Sequence, residues 1–202
     1  MDIKKTANLL LNFTIKRLSE IFGIAIFTSG ILLFLSLITY SPEDPNFIFH
    51  TNTPIENILG FQGSFLSDLF FQSLGLIAYL FSLTLILTGI NIFRLKEFFL
   101  IIENIFFSII YCIFGTLFLS HFYSNAFDLY INGNGGFIGK YLDQTFLNTL
   151  ILTNETIFYY TLIIFISIFF LISINFRPLK FYETFKKLIQ ILSKDNKKNY
   201  TD

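Results

Sequence analysis

Four long runs of apolar residues, each without a charged side chain, dominate the pattern of the chain. They cover 21–40, 74–93, 105–122 and 156–174. A helix rises about 1.5 Å per residue, so about 20 residues cross a hydrocarbon core of about 30 Å. Backbone polar groups in lipid must be hydrogen-bonded within the segment, which favours helices over open strands. The pattern therefore predicts an all-α membrane protein with four transmembrane helices.

The segments between the first and second runs and between the third and fourth runs predict two outer loops with short interfacial helices. In the first loop, Ser41–Asn46 is rich in turn-forming residues, and Thr53–Glu56 has the form of a capping box that predicts the start of a helix. We expect Phe65–Ser73 to lie in the membrane interface, with Gly75 marking the entry into the second span.

Charge is distributed unevenly although the net charge is zero. Of the 14 Lys and Arg residues, all except Lys140 lie before the first run, between the second and third runs, or after the fourth. Basic residues are retained on the cytoplasmic side of a membrane, so both termini are predicted to be cytoplasmic. The 53% hydrophobic content is typical of a membrane protein.

The same pattern divides the chain into three parts. Residues 1–20 predict an amphipathic lead-in helix on the cytoplasmic side, and residues 21–174 form the transmembrane domain. We expect its spans at about 21–40, 74–93, 99–122 and 156–174. Residues 175–202 form a basic tail, with apolar residues at helical spacing in its first half.

Few residues in the sequence suggest chemistry. The glycine-rich segment Gly133–Tyr141 has Asn134 where a phosphate-binding loop needs glycine, and Tyr141 where it needs a serine or threonine to bind magnesium. His50 and His121 are interpreted as exposed loop residues, since no acidic or cysteine cluster accompanies them. We therefore expect no catalytic residue, no cofactor and no metal site.

A small transporter or channel is the alternative that the sequence leaves open. Glu103 lies near the cytoplasmic end of the third span, and we interpret it as an interface carboxylate that pairs with Arg94 or Lys96. A transporter needs polar residues that converge within the membrane. The candidates for such a cluster are Glu103, Asn104, Ser108 and Thr116.

Two further patterns concern packing and duplication. Small residues at several positions in the first two spans favour close approach of helices, within one subunit or between subunits: Gly23, Gly30, Gly75, Ala78, Ser82 and Gly89. In addition, Gly60-x-x-Gly63-x-Phe65-Leu66-x-x-x-Phe70 matches Gly136-x-x-Gly139-x-Tyr141-Leu142-x-x-x-Phe146. The match suggests two duplicated hairpins, with chance similarity as the competing interpretation.

The exit from the first span resembles a known family. The sequence Thr39–Phe47, TYSPEDPNF, is similar to the corresponding segment in the N-terminal membrane domain of FtsK/SpoIIIE-type DNA translocases. The resemblance continues through Asn57–Gly63, Leu66–Leu69 and Gln72–Tyr79, and a Gly-Gly-x-x-Gly element follows at Gly135–Gly139. The family-like residues are Tyr40, Ser41, Pro42, Asp44, Pro45, Phe47, Asn57, Gly60, Gly63, Asp68, Gly75, Gly135, Gly136 and Gly139.

The resemblance implies a membrane anchor and septal interaction or oligomerisation domain in cell division and chromosome segregation. Its implied partners are the lipid bilayer, further copies of the chain and division-machinery membrane proteins in the bacterial inner membrane. A cytoplasmic ATP-driven DNA motor is expected on a continued or separate chain, because no Walker motif or winged-helix DNA reader occurs in this sequence. We therefore expect neither enzymatic activity nor direct nucleic acid binding from these residues.

Overall fold

The computed structural model describes residues 3–45, 54–124, 132–178 and 186, and within these ranges it contains α-helices and no β-strand. The helices are α1 (Ile3–Ile38), α2 (Gly60–Leu74), α3 (Ile77–Leu95), α4 (Leu100–Phe122), α5 (Gly136–Asp143), α6 (Phe146–Thr153) and α7 (Glu155–Ser173). Of these, α1, α3, α4 and α7 are long and apolar enough to cross a membrane. The predicted all-α architecture with four transmembrane helices is confirmed.

The first helix is longer than the hydropathy pattern indicated. α1 runs without a break through 36 residues, so the predicted lead-in 1–20 and the first span are one helix about 54 Å long. The other three spans begin and end within three residues of their predicted limits. A polar face does not stop a helix, so hydropathy locates the apolar part of α1 but not its start.

Glycine residues bring α1 and α3 into direct backbone contact. A Cβ atom added at Gly23 would lie 2.7 Å from the backbone nitrogen of Phe93, and one at Gly30 would lie 2.7 Å from that of Ile86. One at Gly89 would lie 2.7 Å from the carbonyl oxygen of Gly23. Only glycine fits at these positions, as expected where transmembrane helices cross closely. These glycines are therefore used within one subunit.

A second set of contacts, which we call the polar ladder, joins α3, α4 and the end of α7. The hydroxyl groups of Thr84 and Tyr111 are 2.8 Å apart, and the Asn104 amide donates to Thr88 Oγ1 at 2.9 Å. Asn175, which follows α7, donates to Asn104 Oδ1 at 2.6 Å. Such hydrogen bonds between membrane helices contribute about 0.6 kcal/mol each on average, so the ladder mainly fixes the register of the three helices.

Contacts at the two ends show that successive spans run in opposite directions. The Glu20 carboxylate forms ion pairs with Lys96 at 2.7 Å and with Arg17 at 2.6 Å. The pair with Lys96 joins α1 to the end of α3. Asn104 and Asn175 lie at this same end, which we call the terminal end because both chain termini leave from it. The opposite end carries the connections 39–76 and 123–154 and is called the loop end.

Two local predictions concern where helices start in the first loop. The prediction that a helix starts at the capping box Thr53–Glu56 is wrong, because residues 54–56 have no regular secondary structure and α2 begins at Gly60. Gly75, which was expected to mark the entry into the second span, ends α2 with a φ of 58° and a ψ of −143°, and α3 begins two residues later at Ile77. The predicted tail helix over 181–192 lies outside the described residues, apart from Lys186.

The two segments of the suggested repeat share one feature and differ in another. Gly60 and Gly136, which are equivalent in the match, are the first residues of α2 and α5 and have φ values of 65° and 64°. However, α2 has 15 residues and leads directly to α3, whereas α5 has eight and is followed by the separate α6. Duplication of the hairpins stays a prediction.

Candidate interaction surface at the loop end

The turn after the first span is organised around the buried carboxylate of Asp44. Its two oxygens accept hydrogen bonds from the backbone amides of Glu56 at 2.7 Å and Asn57 at 3.0 Å. The turn itself is closed by a bond from the Asp44 amide to the carbonyl oxygen of Ser41 at 3.3 Å. Hydrogen bonds to an ionised acceptor are about twice as strong as neutral ones, so Asp44 holds the two sides of the first loop together.

Asn57 is the second centre of this loop, with 4% of its surface exposed. Its amide donates to the carbonyl oxygens of Ser36 at 2.9 Å and Thr39 at 3.2 Å, at the end of α1. Its Oδ1 accepts from the amide of Leu59 at 3.1 Å, just before α2. Because the last carbonyl groups of a helix have no partner within the helix, Asn57 satisfies groups that would otherwise be buried without one.

Helix α2 is fixed against this centre through glycine and serine. Ser36 donates to the carbonyl oxygen of Gly63 at 2.5 Å, and Gly63 lies directly against the Asn57 side chain. Ser64 donates to the carbonyl oxygen of Pro45 at 2.9 Å. A side chain at Gly63 would displace Asn57, so this glycine is required for steric reasons.

Tyr40 and Asp68 extend the same assembly along α2. The Tyr40 hydroxyl donates to Asp68 Oδ1 at 3.3 Å, and the Tyr40 ring packs edge to face on Phe71 with centroids 5.1 Å apart. Tyr79 donates to the carbonyl oxygen of Leu37 at 3.2 Å from the start of α3. Residues from α1, α2 and α3 thus share one partly polar core at the loop end.

The two loops meet at Gly75 and Asn134. The amide of Leu76 donates to the carbonyl oxygen of Asn134 at 2.9 Å, and Gly75 is in backbone contact with the same carbonyl group. The Asn132 amide donates to Gln72 Oε1 at 2.9 Å. A Cβ at Gly136 would lie 2.6 Å from the Gly75 nitrogen. The junction therefore depends on glycine on both sides.

The second loop packs closely against α4 at two glycine residues. Gly135 and Gly139 lie against the carbonyl oxygen of Thr116 and the hydroxyl of Ser120, with no room for a Cβ at either position. Asn134 donates to the carbonyl oxygen of Tyr123, whereas its own Oδ1, which is buried, has no hydrogen-bond partner among the described residues. The Gly-Gly-x-x-Gly element is thus a close-packing motif rather than a flexible hinge.

We call this whole assembly, residues 39–45, 54–76 and 132–143, the loop cap. It brings together most of the family-like residues that the sequence singled out. Within it Pro42 is exposed, while Phe47 lies outside the described residues. Hydropathy gave no signal for several residues that complete the cap, which are short polar side chains within or beside apolar segments: Ser36, Ser64, Gln72, Thr116, Ser120 and Asn134.

Exposed apolar and aromatic side chains cover the outside of the loop cap. Ile58 is 71% exposed, and Phe61 on α2 is 47% exposed. On α5, Phe137 and Tyr141 are 59% and 62% exposed and stack with ring centroids 6.3 Å apart. A fixed backbone that presents aromatic residues is typical of a protein or membrane interaction surface.

His121 differs from its predicted state. Its side chain is 12% exposed, and Nδ1 lies 2.7 Å from Asp143 Oδ1, so it links α4 to α5. The interpretation of His121 as an exposed loop residue is wrong, since its partner is 22 residues away in sequence; His50 lies outside the described residues. Asp143 also lines, with Ser120 and Lys140, an open cleft of about 400 Å³ beside α5.

The structure also locates the polar residues that suggested a transporter. Asn104 is bonded within the polar ladder, Ser108 donates to the carbonyl oxygen of Asn104 at 2.6 Å, and Thr116 donates to that of Ile113 at 3.1 Å. Glu103, although next to Asn104 in sequence, is exposed and lines a cleft that none of these three residues lines. Each of the three polar groups is hydrogen-bonded within the helix packing, and Glu103 takes no part in these bonds.

The predicted pairing of Glu103 is also corrected. Lys96 is bonded to Glu20 instead, and neither Lys96 nor Arg94 forms an ion pair with Glu103 among the described residues. Within the residues that the structure describes, no three His, Cys, Asp or Glu side chains are close enough together to hold a metal ion.

Comparison with known proteins identifies the family to which the chain belongs. The 4TM region of DNA translocase FtsK/SpoIIIE matches residues 15–186. DNA translocase FtsK of Caulobacter vibrioides is 39% identical over 62 residues, a segment that covers 31% of this chain and 8% of that protein. No solved structure gives a significant match. Because the family match spans all four transmembrane helices, the chain belongs to the family of FtsK/SpoIIIE four-transmembrane regions.

Proposed function

We propose that this chain is the membrane anchor and septal interaction domain of a bacterial DNA translocase. It lies in the cytoplasmic membrane, assembles with further copies of itself and holds an ATP-driven DNA motor at the division septum. The motor, on a continued or separate chain, carries the ATPase and DNA-binding activities, which we do not assign to residues 1–202. The family match over residues 15–186 is the observation that supports this proposal.

The loop cap is the part of the chain that we propose for contact with division-machinery membrane proteins. Its backbone is held by buried Asp44 and Asn57, and its outer surface carries exposed Phe61, Phe137 and Tyr141. Binding energy at protein interfaces is concentrated in a few aromatic side chains on a preorganised backbone. Loss of the cap is therefore expected to affect partner binding more than insertion into the membrane.

The proposed orientation places the loop cap outside the cytoplasm and the terminal end inside it. In a Cys112→Ala background, Glu56→Cys is expected to react with a membrane-impermeant maleimide added to spheroplasts, because residue 56 is exposed in the loop cap. Lys186→Cys is expected to react only after the membrane is disrupted. Labelling in the reverse pattern would contradict the orientation, and detergent-lysed cells supply the control for reactivity of both thiols.

The septal role is tested by localisation of a fluorescent fusion in dividing cells of the native host. The wild-type fusion is expected to form a band at midcell. An Asp44→Ala fusion is expected to stay in the membrane fraction but spread around the envelope, since two backbone amides of the cap lose their acceptor. The matched control is Glu56→Gln, which changes an exposed carboxylate in the same loop. Uniform envelope fluorescence of the wild-type fusion would overturn the septal role.

A further inference from the structure

A cleft of about 580 Å³ opens at the terminal end, between the start of α4 and the end of α7. One wall consists of Ile168, Leu171 and Ile172, which are spaced three and four residues apart and so share one face of α7. All three are more than a third exposed. Helix α7 is a candidate membrane span, so this wall faces the acyl chains of lipid.

Two side chains of opposite charge lie on the rim of the same cleft. Glu103 belongs to the first turn of α4, and Arg177 follows the end of α7. Asn104, next to Glu103, accepts a hydrogen bond of 2.6 Å from Asn175, two residues before Arg177, so the segments that carry the two charges are held at the same level of the bundle. The Glu20–Lys96 ion pair lies at this same end, where apolar helix surface gives way to charge.

The two charges do not neutralise each other. Both side chains are exposed, and neither takes part in an ion pair within 4 Å among the described residues. A carboxylate and a guanidinium that line one cleft without pairing fit a ligand that carries both charges itself. The apolar wall below them fits a ligand with a hydrocarbon tail, and the place of the cleft at the end of a candidate membrane span fits a lipid.

We propose that this cleft is a binding site for a zwitterionic aminophospholipid of the phosphatidylethanolamine type. Arg177 donates to the phosphodiester, for which the planar guanidinium is well suited. Glu103 accepts from the primary ammonium group. One acyl chain lies along Ile168, Leu171 and Ile172.

The charge pattern also predicts which lipids bind less well. An anionic headgroup such as phosphatidylglycerol satisfies Arg177 but leaves Glu103 beside a negative charge. A phosphatidylcholine headgroup has a quaternary ammonium without an N–H donor, so it cannot form the hydrogen bond to Glu103. Selectivity therefore depends on Glu103, and retention of any phospholipid at the site depends on Arg177.

Native mass spectrometry of the full chain in detergent, with the three lipids of matched acyl chains, tests the site. The wild-type protein is expected to retain phosphatidylethanolamine about tenfold more than either competitor, the factor that one charge-assisted hydrogen bond supplies. Glu103→Gln is expected to abolish this preference, and Arg177→Gln to reduce retention of all three lipids. The matched controls Glu97→Gln and Arg94→Gln alter exposed charges at the same end that do not line the cleft.

Three results would overturn the proposal. The first is equal retention of the three lipids by the wild-type protein, a result that requires no variant. Another is a Glu103→Gln protein that keeps the preference while Cys112 remains protected from thiol reagents, which shows that it is folded. The last is retention of lipid only after removal of the residues beyond Pro178, which would identify the tail of this chain as the occupant.

Discussion

Gly75→Ala is expected to be the most destabilising single methyl addition in the chain. The backbone at Gly75, with φ 58° and ψ −143°, lies near a region that only glycine occupies readily, at a cost of about 1 to 3 kcal/mol for other residues. The added methyl group would also overlap the backbone of Asn134 and lie 2.8 Å from the nitrogen of Gly136. Overpacking of this kind costs about 1 to 3 kcal/mol more.

Reaction of the buried Cys112 thiol measures the thermal stability of the Gly75→Ala protein. It is the single cysteine of the chain, so a maleimide that fluoresces on reaction reports unfolding during a thermal ramp in detergent. A loss of about 3 kcal/mol corresponds to a midpoint lower by roughly 6 to 12 °C in a chain of this size.

Gly60→Ala is the matched control for Gly75→Ala. It also has a positive φ, of 65°, but a Cβ there would meet no atom within 4 Å. We expect it to cost about 1 to 2 kcal/mol, the conformational part alone. If the two variants melted at the same temperature, the junction between the two loops would contribute nothing to stability.

Asn57→Asp is expected to have the second large effect. The two side chains have almost the same shape, but the substitution replaces the donor of the bonds to Ser36 and Thr39 with a carboxylate oxygen. Two carbonyl oxygens would then face a buried negative charge. An uncompensated buried charge costs about 3 to 5 kcal/mol, so the loop cap should open.

Cys112 labelling and septal localisation together test this second expectation. The Asn57→Asp protein should show a lower thermal midpoint, and its fluorescent fusion should lose the midcell band. Gln62→Glu is the matched control, because it adds the same charge at an exposed position of α2 and should stay within about 0.5 kcal/mol of wild type. A normal midpoint for Asn57→Asp would show that Asn57 does not hold the loop cap to α1.

The four spans were predictable because exposing backbone polar groups or charge to lipid is costly. This cost restricts the residue types at nearly every position of a span, and the restriction is visible in the sequence. The loops were harder because their structure depends on distant partners. The capping box at Thr53–Glu56 was misleading, since Asp44 takes the amide hydrogen bonds of Glu56 and Asn57. No local pattern indicates that a carboxylate twelve residues earlier will compete for them.

The contacts of the candidate glycine and asparagine residues also depend on distant partners, so they could not be predicted from the local sequence. The family resemblance singled out Asn57, Gly63, Gly75 and Gly136, but only the three-dimensional structure shows what each contacts. The sequence pattern indicates no structural role for Asn134, which only departs there from a phosphate-binding loop. Its carbonyl group nevertheless joins the two loops. A backbone carbonyl is present at every position, so its particular use leaves no trace in residue type.

The polar ladder has a mechanical consequence. Only Leu162 and Ser173 of α7 are buried, so this helix alone would resist extraction from the bilayer mainly through its contact with lipid. Asn175 ties the following residues to α4, and Asn91 of α3 donates to the carbonyl oxygen of Ile174 at 2.9 Å. Tension applied beyond Arg177 is therefore shared with α3 and α4 before it reaches α7 itself, which suits the proposed role of the chain as a tether for a motor.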